Sequence, residues 1–154
     1  MAIYIVQHGR CVSKEVDPDR PLSLEGRTEV ERIAGVAAGY NVRPSVICHS
    51  GKTRACETAS IYDKALGASQ GIREMAGMNP MDDVEAFAVT IDPEQQAMFV
   101  GHLPFLERLV AFLITGHQDV LVFKLQNGGV LCMDYAEDTG RWFIKWGLMP
   151  NVGP

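Results

Sequence analysis

This sequence predicts an α/β protein: a three-layer αβα sandwich around a mostly parallel sheet of about six strands, one of them antiparallel. Three observations carry that expectation. Short apolar runs alternate with longer stretches of helical spacing. Glycine or a polar turn closes most of these stretches. The last two apolar runs, residues 130–135 and 142–146, flank Glu137-Asp138-Thr139-Gly140 and read as a hairpin, which requires an antiparallel strand.

The elements follow in order. Residues 2–7 hold Ile3-Tyr4-Ile5-Val6 and read as a buried strand, with His8-Gly9 directly after it. Residues 10–22 read as a polar loop carrying Asp17-Pro18-Asp19-Arg20-Pro21. Ser23 suits a helix N-cap, and Glu25 falls in the first turn, where the helix dipole favours an acid. Val30, Ile33, Ala34, Ala37 and Ala38 then recur at helical spacing, with Gly39 near a natural stop. Residues 46–48 predict a second strand, and residues 53–66 a helix closed by Gly67. Residues 71–81 read as loop with a brief strand near Ile72, and residues 82–89 as a short helix. Residues 98–100 predict a third main strand, and residues 103–114 a third main helix ended by Gly116. The apolar residues 120–125 predict one more strand before the hairpin.

With 154 residues and no repeat, linker or low-complexity tract, residues 1–154 read as one domain. Hydrophobic residues at 47% suffice for a core and exclude a disordered chain. The net charge of -5 argues against nucleic acid as the main partner. No apolar run is long enough to span a bilayer, and the N-terminus lacks the pattern of a signal peptide, so a soluble, cytoplasmic protein is expected. Cys11, Cys48, Cys56 and Cys132 show no C-x-x-C spacing and read as free thiols.

The chemistry gathers at strand ends. In open α/β sheets, ligands bind beyond the carboxyl ends of the strands. Here those ends deliver His8, then Arg54 at a helix start, then His102 in Gly101-His102-Leu103-Pro104. A histidine attacks phosphorus only through an unprotonated ring nitrogen, and the other nitrogen needs a fixed acceptor. A tight turn at Gly9 offers a backbone carbonyl for that. Arginine suits the growing charge on phosphoryl oxygens because its fork matches two of them. His102, when protonated, adds a further donor. Singly, each of these residues reads as structural or surface; together they describe an anion site with a nucleophile. His49 and His117 read as structural or surface residues, and Phe105, Phe112, Met75 and Met78 as core or pocket rim.

At these residues the chain resembles the histidine phosphatase superfamily of phosphoglycerate mutases and acid phosphatases, and within it the short SixA-type phosphohistidine phosphatases. That family shows strand–Arg-His-Gly; here the text is Ile5-Val6-Gln7-His8-Gly9. Arg20-Pro21-Leu22-Ser23-Leu24-Glu25-Gly26 matches its next element in full. Ser50, Arg54, Ala55, Thr58 and Ala59 match a third, Gly101-His102-Leu103-Pro104 a fourth, and Trp146-Gly147-Leu148-Met149-Pro150 its end. The resemblance implies a phosphoglycerate mutase-like fold, His8 as a transiently phosphorylated nucleophile, Arg54 and His102 on the phosphoryl oxygens, Gln7 and Gly9 at the phosphate, and Arg20 ordering the pocket loop. It implies no metal or other cofactor. The implied partner is a protein carrying phosphohistidine, such as a phosphotransfer domain, or a small phosphorylated molecule, with inorganic phosphate as product.

Two departures matter. The family has arginine where this chain has Gln7, which replaces a charged fork with a neutral amide. A lost charge-assisted hydrogen bond of about 1.5–3 kcal/mol, felt wholly in the transition state, lowers a rate by roughly 10- to 150-fold. Arg10 and Lys52 are candidates to restore that charge. The chain is also too short for the insertion that supplies a glutamate acid in phosphoglycerate mutase relatives. Glu74, Asp82 and Asp83 are the nearby carboxylates. The alternatives to a phosphohistidine phosphatase are a small-molecule phosphomonoesterase using Glu74 or Asp82, a phosphate-binding module without turnover, and a metal or thiol chemistry at Cys11, Cys48 and His49.

Overall fold

The computed structural model describes residues 1–153. Its strands are β1 (Ala2–Gln7), β2 (Val46–His49), β3 (Ile72–Glu74), β4 (Ala97–Gly101), β5 (Val130–Ala136) and β6 (Arg141–Leu148). Its helices are α1 (Leu24–Gly39), α2 (Thr53–Leu66), α3 (Val84–Ala88) and α4 (Phe105–Thr115), with a 3-10 turn at Pro93–Gln95. The six strands form one sheet in the order β3-β2-β4-β1-β5-β6. β1, β2, β3 and β4 are mutually parallel, and β5 runs antiparallel to both β1 and β6. The expected mixed sheet is therefore present, with a single strand running against the rest.

Alternation along the strands feeds two cores. Val6, Ile47, Met98, Val100 and Val130 face α1 and α2, where Val30, Ile33, Ala34, Ala55, Ala59 and Tyr62 bury against them. Ile3, Ile5, Phe99, Leu131 and Met133 face α3 and α4, meeting Val84, Phe87, Phe105, Leu106 and Leu109. Parallel strands covered on both faces carry unbroken apolar runs, which is why β1 and β4 are so visible in the sequence.

Helix ends follow local chemistry. The Ser23 hydroxyl accepts from the Gly26 N–H and caps α1, with Glu25 in its first turn. Gly67 and Gly116 close α2 and α4 in left-handed conformations. The short helix begins at Val84, later than expected, because the Asp83 side chain caps it by accepting from the Ala86 N–H.

Residues 120–125 form no strand, against expectation. Val122 and Phe123 pack on the core beneath α4, and Leu125 is buried there. The Leu125 N–H donates to the Glu107 carboxylate rather than to a strand, at 2.9 Å. Val122, Phe123 and Leu125 are apolar because they pack on the core without strand pairing, while Val120 and Leu121 stay exposed. Among the described residues, no helix is long and apolar enough to cross a membrane.

Candidate active site

β2 and β4 are neighbours, yet α2 leaves over one face and α4 over the other. That divergence opens a crevice at the strands' carboxyl ends, and His8, Arg54 and His102 converge there. The His8 and His102 rings lie 5.0 Å apart, centroid to centroid.

Backbone bonds pin His8. Its N–H donates to the Gly101 carbonyl at 3.0 Å, and the Gly128 N–H donates to the Gln7 carbonyl at 2.8 Å. The Asn127 amide donates to the His8 carbonyl at 2.9 Å. The Gly9 N–H donates to the Thr58 hydroxyl oxygen at 2.9 Å, and that hydroxyl donates to the Arg54 carbonyl at 2.7 Å. The turn after His8 is thereby tied to the helical turn that carries Arg54. No larger residue fits at Gly9: a Cβ there would lie 2.7 Å from Val30 Cγ2.

His8 Nδ1 lies 2.7 Å from the Gly9 carbonyl oxygen. A carbonyl only accepts, so Nδ1 carries the proton and Nε2 keeps its lone pair. Burial lowers the His8 pKa to about 4; the Gly9 carbonyl opposes that, and Arg54 and Arg20 add to it. The lone pair is therefore available through the neutral pH range.

His102 is 1% exposed. Its Nε2 lies 2.6 Å from the Ser50 hydroxyl, and its Nδ1 is buried with no partner. Burial lowers its pKa to about 3, with further lowering from His8, Arg54 and Lys52. His102 is thus a neutral imidazole at neutral pH, and a nearby anion would favour its charged form.

Arg54 is half-buried, and burial followed by the nearby Arg20 charge lowers its pKa. Among the described residues, neither guanidinium has a carboxylate partner. Arg20 takes a left-handed backbone, φ 50°, and its guanidinium reaches the Val12 carbonyl and the Cys11 sulfur, each at 3.4 Å. A strained non-glycine residue at a ligand clamp is a recurring functional device. Its contacts with Val12 and Cys11 join two parts of the 10–22 loop.

The other expected contributors sort differently. Arg10 is engaged by Glu29 at 2.8 Å and Glu25 at 3.2 Å on the surface, so it does not replace the missing arginine. Lys52 adds positive potential at His102. Gln7 is 8% exposed, and its Oε1 is buried without a partner. Asp82 accepts from the Asn79 N–H and Asp83 caps α3, so both serve local turns. Glu74 ends β3 beside His49, and its carboxylate lies against Gly51, next to Ser50. His49 Nδ1 accepts from the Gly51 N–H, a structural role, and His117 lies exposed after α4. The four thiols are free, and no His/Cys/Asp/Glu cluster suited to a metal occurs among the described residues. An apolar groove of about 360 Å³ lined by Tyr40, Val42, Trp146 and Leu148 shares no residue with this site.

Ser50, Thr58 and Asn127 are the contributors that residue chemistry alone did not assign. Their partners lie 52, 49 and 119 positions away in the chain. Only the spacing of Ser50 and Thr58 around Arg54 hinted at them.

No family sequence model matches this chain, and no curated protein sequence does either. Solved structures do match. The protein histidine phosphatase SixA, complexed with tungstate, superposes with a TM-score of 0.84 at 22% identity over 97% of each chain. This chain has the histidine phosphatase fold. An Agrobacterium tumefaciens protein assigned as the phosphohistidine phosphatase SixA gives 0.78 at 25% identity, again over 97% of each chain. A mycobacterial glucosyl-3-phosphoglycerate phosphatase, complexed with VO3, gives 0.69 at 16% identity over 94% of this chain and 97% of its own.

Two predictions arise from this geometry. Thr58→Val leaves the buried Gly9 N–H without an acceptor, so stability should drop by about 1–3 kcal/mol. Turnover should also fall, since the tie between the His8 turn and Arg54 is cut; denaturant melts and kcat on the same preparation check both. The second concerns acid. His8 and His102 have folded pKa values below the ordinary 6.5, so the unfolded chain binds more protons between those values. The stability they contribute is fully present above 6.5 and is lost as pH falls toward about 4 for His8 and about 3 for His102. Melting temperature should decline across that window, and His102→Gln should shallow the decline.

Proposed function

We propose that this protein is a phosphohistidine phosphatase that works through a covalent phospho-His8 intermediate. One observation carries the reading. His8 presents an unprotonated Nε2, fixed by the Gly9 carbonyl, beside two guanidiniums that no carboxylate neutralises.

In the first step Nε2 forms a bond to phosphorus, and the P–N bond to the substrate imidazole breaks. The departing imidazole takes up a proton. In the second step water attacks phosphorus, the P–Nε2 bond breaks, and phosphate leaves with His8 restored. Arg54, Arg20 and His102 hold the phosphoryl oxygens as charge grows on them. No metal step is needed to balance this chemistry.

The substrate class rests on the leaving group. Asp82 and Asp83 are committed to backbone N–H groups, so neither is free as a general acid. Imidazole departs with little acid assistance, whereas an alkoxide needs it. Glu74, beside Gly51 and Ser50, favours a second reading, hydrolysis of small phosphomonoesters with Glu74 as acid.

The test compares phosphate release from a phosphohistidine-carrying phosphotransfer protein with release from aryl and alkyl phosphates. Preference for the phosphohistidine protein is expected. The reverse preference, lost in Glu74→Gln, would establish the second reading. Phosphate binding without turnover on any of them would leave a binding module and overturn both.

A further inference from the structure

His102 is fixed firmly at its backbone and lightly at its ring. Its carbonyl accepts from the Leu106 N–H at 3.0 Å, where α4 begins. Among the described residues, ring Nδ1 has no partner and ring Nε2 has one, the Ser50 hydroxyl at 2.6 Å. A half-turn of an imidazole about its Cβ–Cγ bond exchanges nitrogen for carbon with little change of shape. Packing alone therefore does not choose between the two orientations, whereas a hydrogen bond to one nitrogen does.

The fold brings this pair together. β2 and β4 are neighbours, with His49 opposite Val100, so Ser50 and His102 leave adjacent strand ends. The Lys52 N–H donates to Ser50 Oγ at 3.4 Å, and Gly51 between them takes a left-handed φ of 92°. A side chain at Gly51 would collide with the Glu74 carboxylate. The turn after β2 thus sets the hydroxyl beside the ring.

A hydroxyl both donates and accepts. It donates to Nε2 while that atom holds a lone pair, and it accepts from Nε2–H once the ring is charged. The contact therefore survives a change of charge on His102 when an anion arrives. The neighbouring groups do not offer this. Arg54 and Lys52 carry side-chain donors only. His49 spends its Nδ1 on the Gly51 N–H, the Glu74 carboxylate lies against Gly51, and His8 Nδ1 is held by the Gly9 carbonyl.

We propose that Ser50 is a positioning residue for catalysis: its hydroxyl holds the His102 imidazole in a fixed orientation beside His8 in both charge states of the ring. The inference rests on the role proposed above for His102 at the phosphoryl group. Ser50 acts through that ring, so its contribution should vanish when the ring is absent.

A double-mutant cycle tests this, read by kcat and KM for phosphate release and by the affinity for inorganic tungstate, with a thermal melt on every variant. Ser50→Ala should lower kcat by about 10- to 100-fold, the scale of a misplaced catalytic group, and leave KM within about threefold. Tungstate affinity should fall as well. Ser50→Thr, which keeps the hydroxyl, should recover most of both losses. His102→Leu keeps the volume and removes both nitrogens; in that background Ser50→Ala should cost nothing further. An equal loss from Ser50→Ala with and without the His102 ring would overturn the inference, by making Ser50 a structural residue of its own turn. So would wild-type kcat and tungstate affinity in Ser50→Ala, or a Ser50→Thr variant that melts like the wild type and works no better than Ser50→Ala. Wild type that binds tungstate yet releases phosphate from no substrate would overturn the proposed function, and the cycle read by tungstate affinity would still decide the role of Ser50. Absence of tungstate binding and of turnover in the wild type would overturn both.

Discussion

His8→Ala should remove turnover, lowering kcat by about 10⁴-fold or more, because it takes away the atom to which phosphorus is transferred. The fold should tolerate the change. His8 is held through its backbone, by Gly101 and Asn127, and its side chain bonds only the adjacent carbonyl. Its neutral form also gives up no ion pair when it is removed. Steady-state rates measured beside a thermal melt check both halves: activity gone, melting temperature near that of the wild type. A variant that keeps most of its activity would move the nucleophile elsewhere.

Arg54→Ala should have the next largest effect, a loss of about 10²–10³-fold in kcat, the usual cost of one fixed donor at developing charge. Arg54→Lys should recover part of this, since it restores charge without the two-pronged geometry. Stability should hold or rise, for a physical reason specific to this site. Arg54 has no carboxylate partner to leave stranded, and its charge lies close to that of Arg20. A large drop in melting temperature with little change in kcat would make Arg54 a structural residue instead. The two measurements therefore separate a phosphate ligand from a helix-start residue.

Much of this arrangement was readable in the sequence, and the reasons are local. β1 and β4 are buried on both faces, so their apolar runs stand out and place His8 and His102 at their ends. Ser23 and Gly67 mark helix ends because capping needs only neighbouring atoms. The carbonyl that fixes His8 belongs to the very next residue, so its role followed from the His-Gly pair. What stayed hidden depended on distant partners. Val122, Phe123 and Leu125 look like a strand because burial and pairing leave the same apolar signature, and Leu125 spends its N–H on Glu107 across the core. Ser50, Thr58 and Asn127 are ordinary polar residues until the fold brings them to His102, Gly9 and His8. In the sequence Arg10 is indistinguishable from a pocket charge; in the fold Glu25 and Glu29, in the first and second turns of α1, hold it. The unpartnered Gln7 oxygen was also out of reach, since a missing partner is a property of the folded interior alone.

The measurement that bears most directly on the account is capture of the intermediate. Wild type and His8→Ala are each incubated briefly with a radiolabelled phosphohistidine protein and resolved under alkaline conditions, with free phosphate counted in parallel. The account predicts an acid-labile, alkali-stable label on the wild-type chain, absent from His8→Ala, with phosphate released only by the wild type. Phosphate release with no label on this chain, or an equal label on His8→Ala, would contradict it.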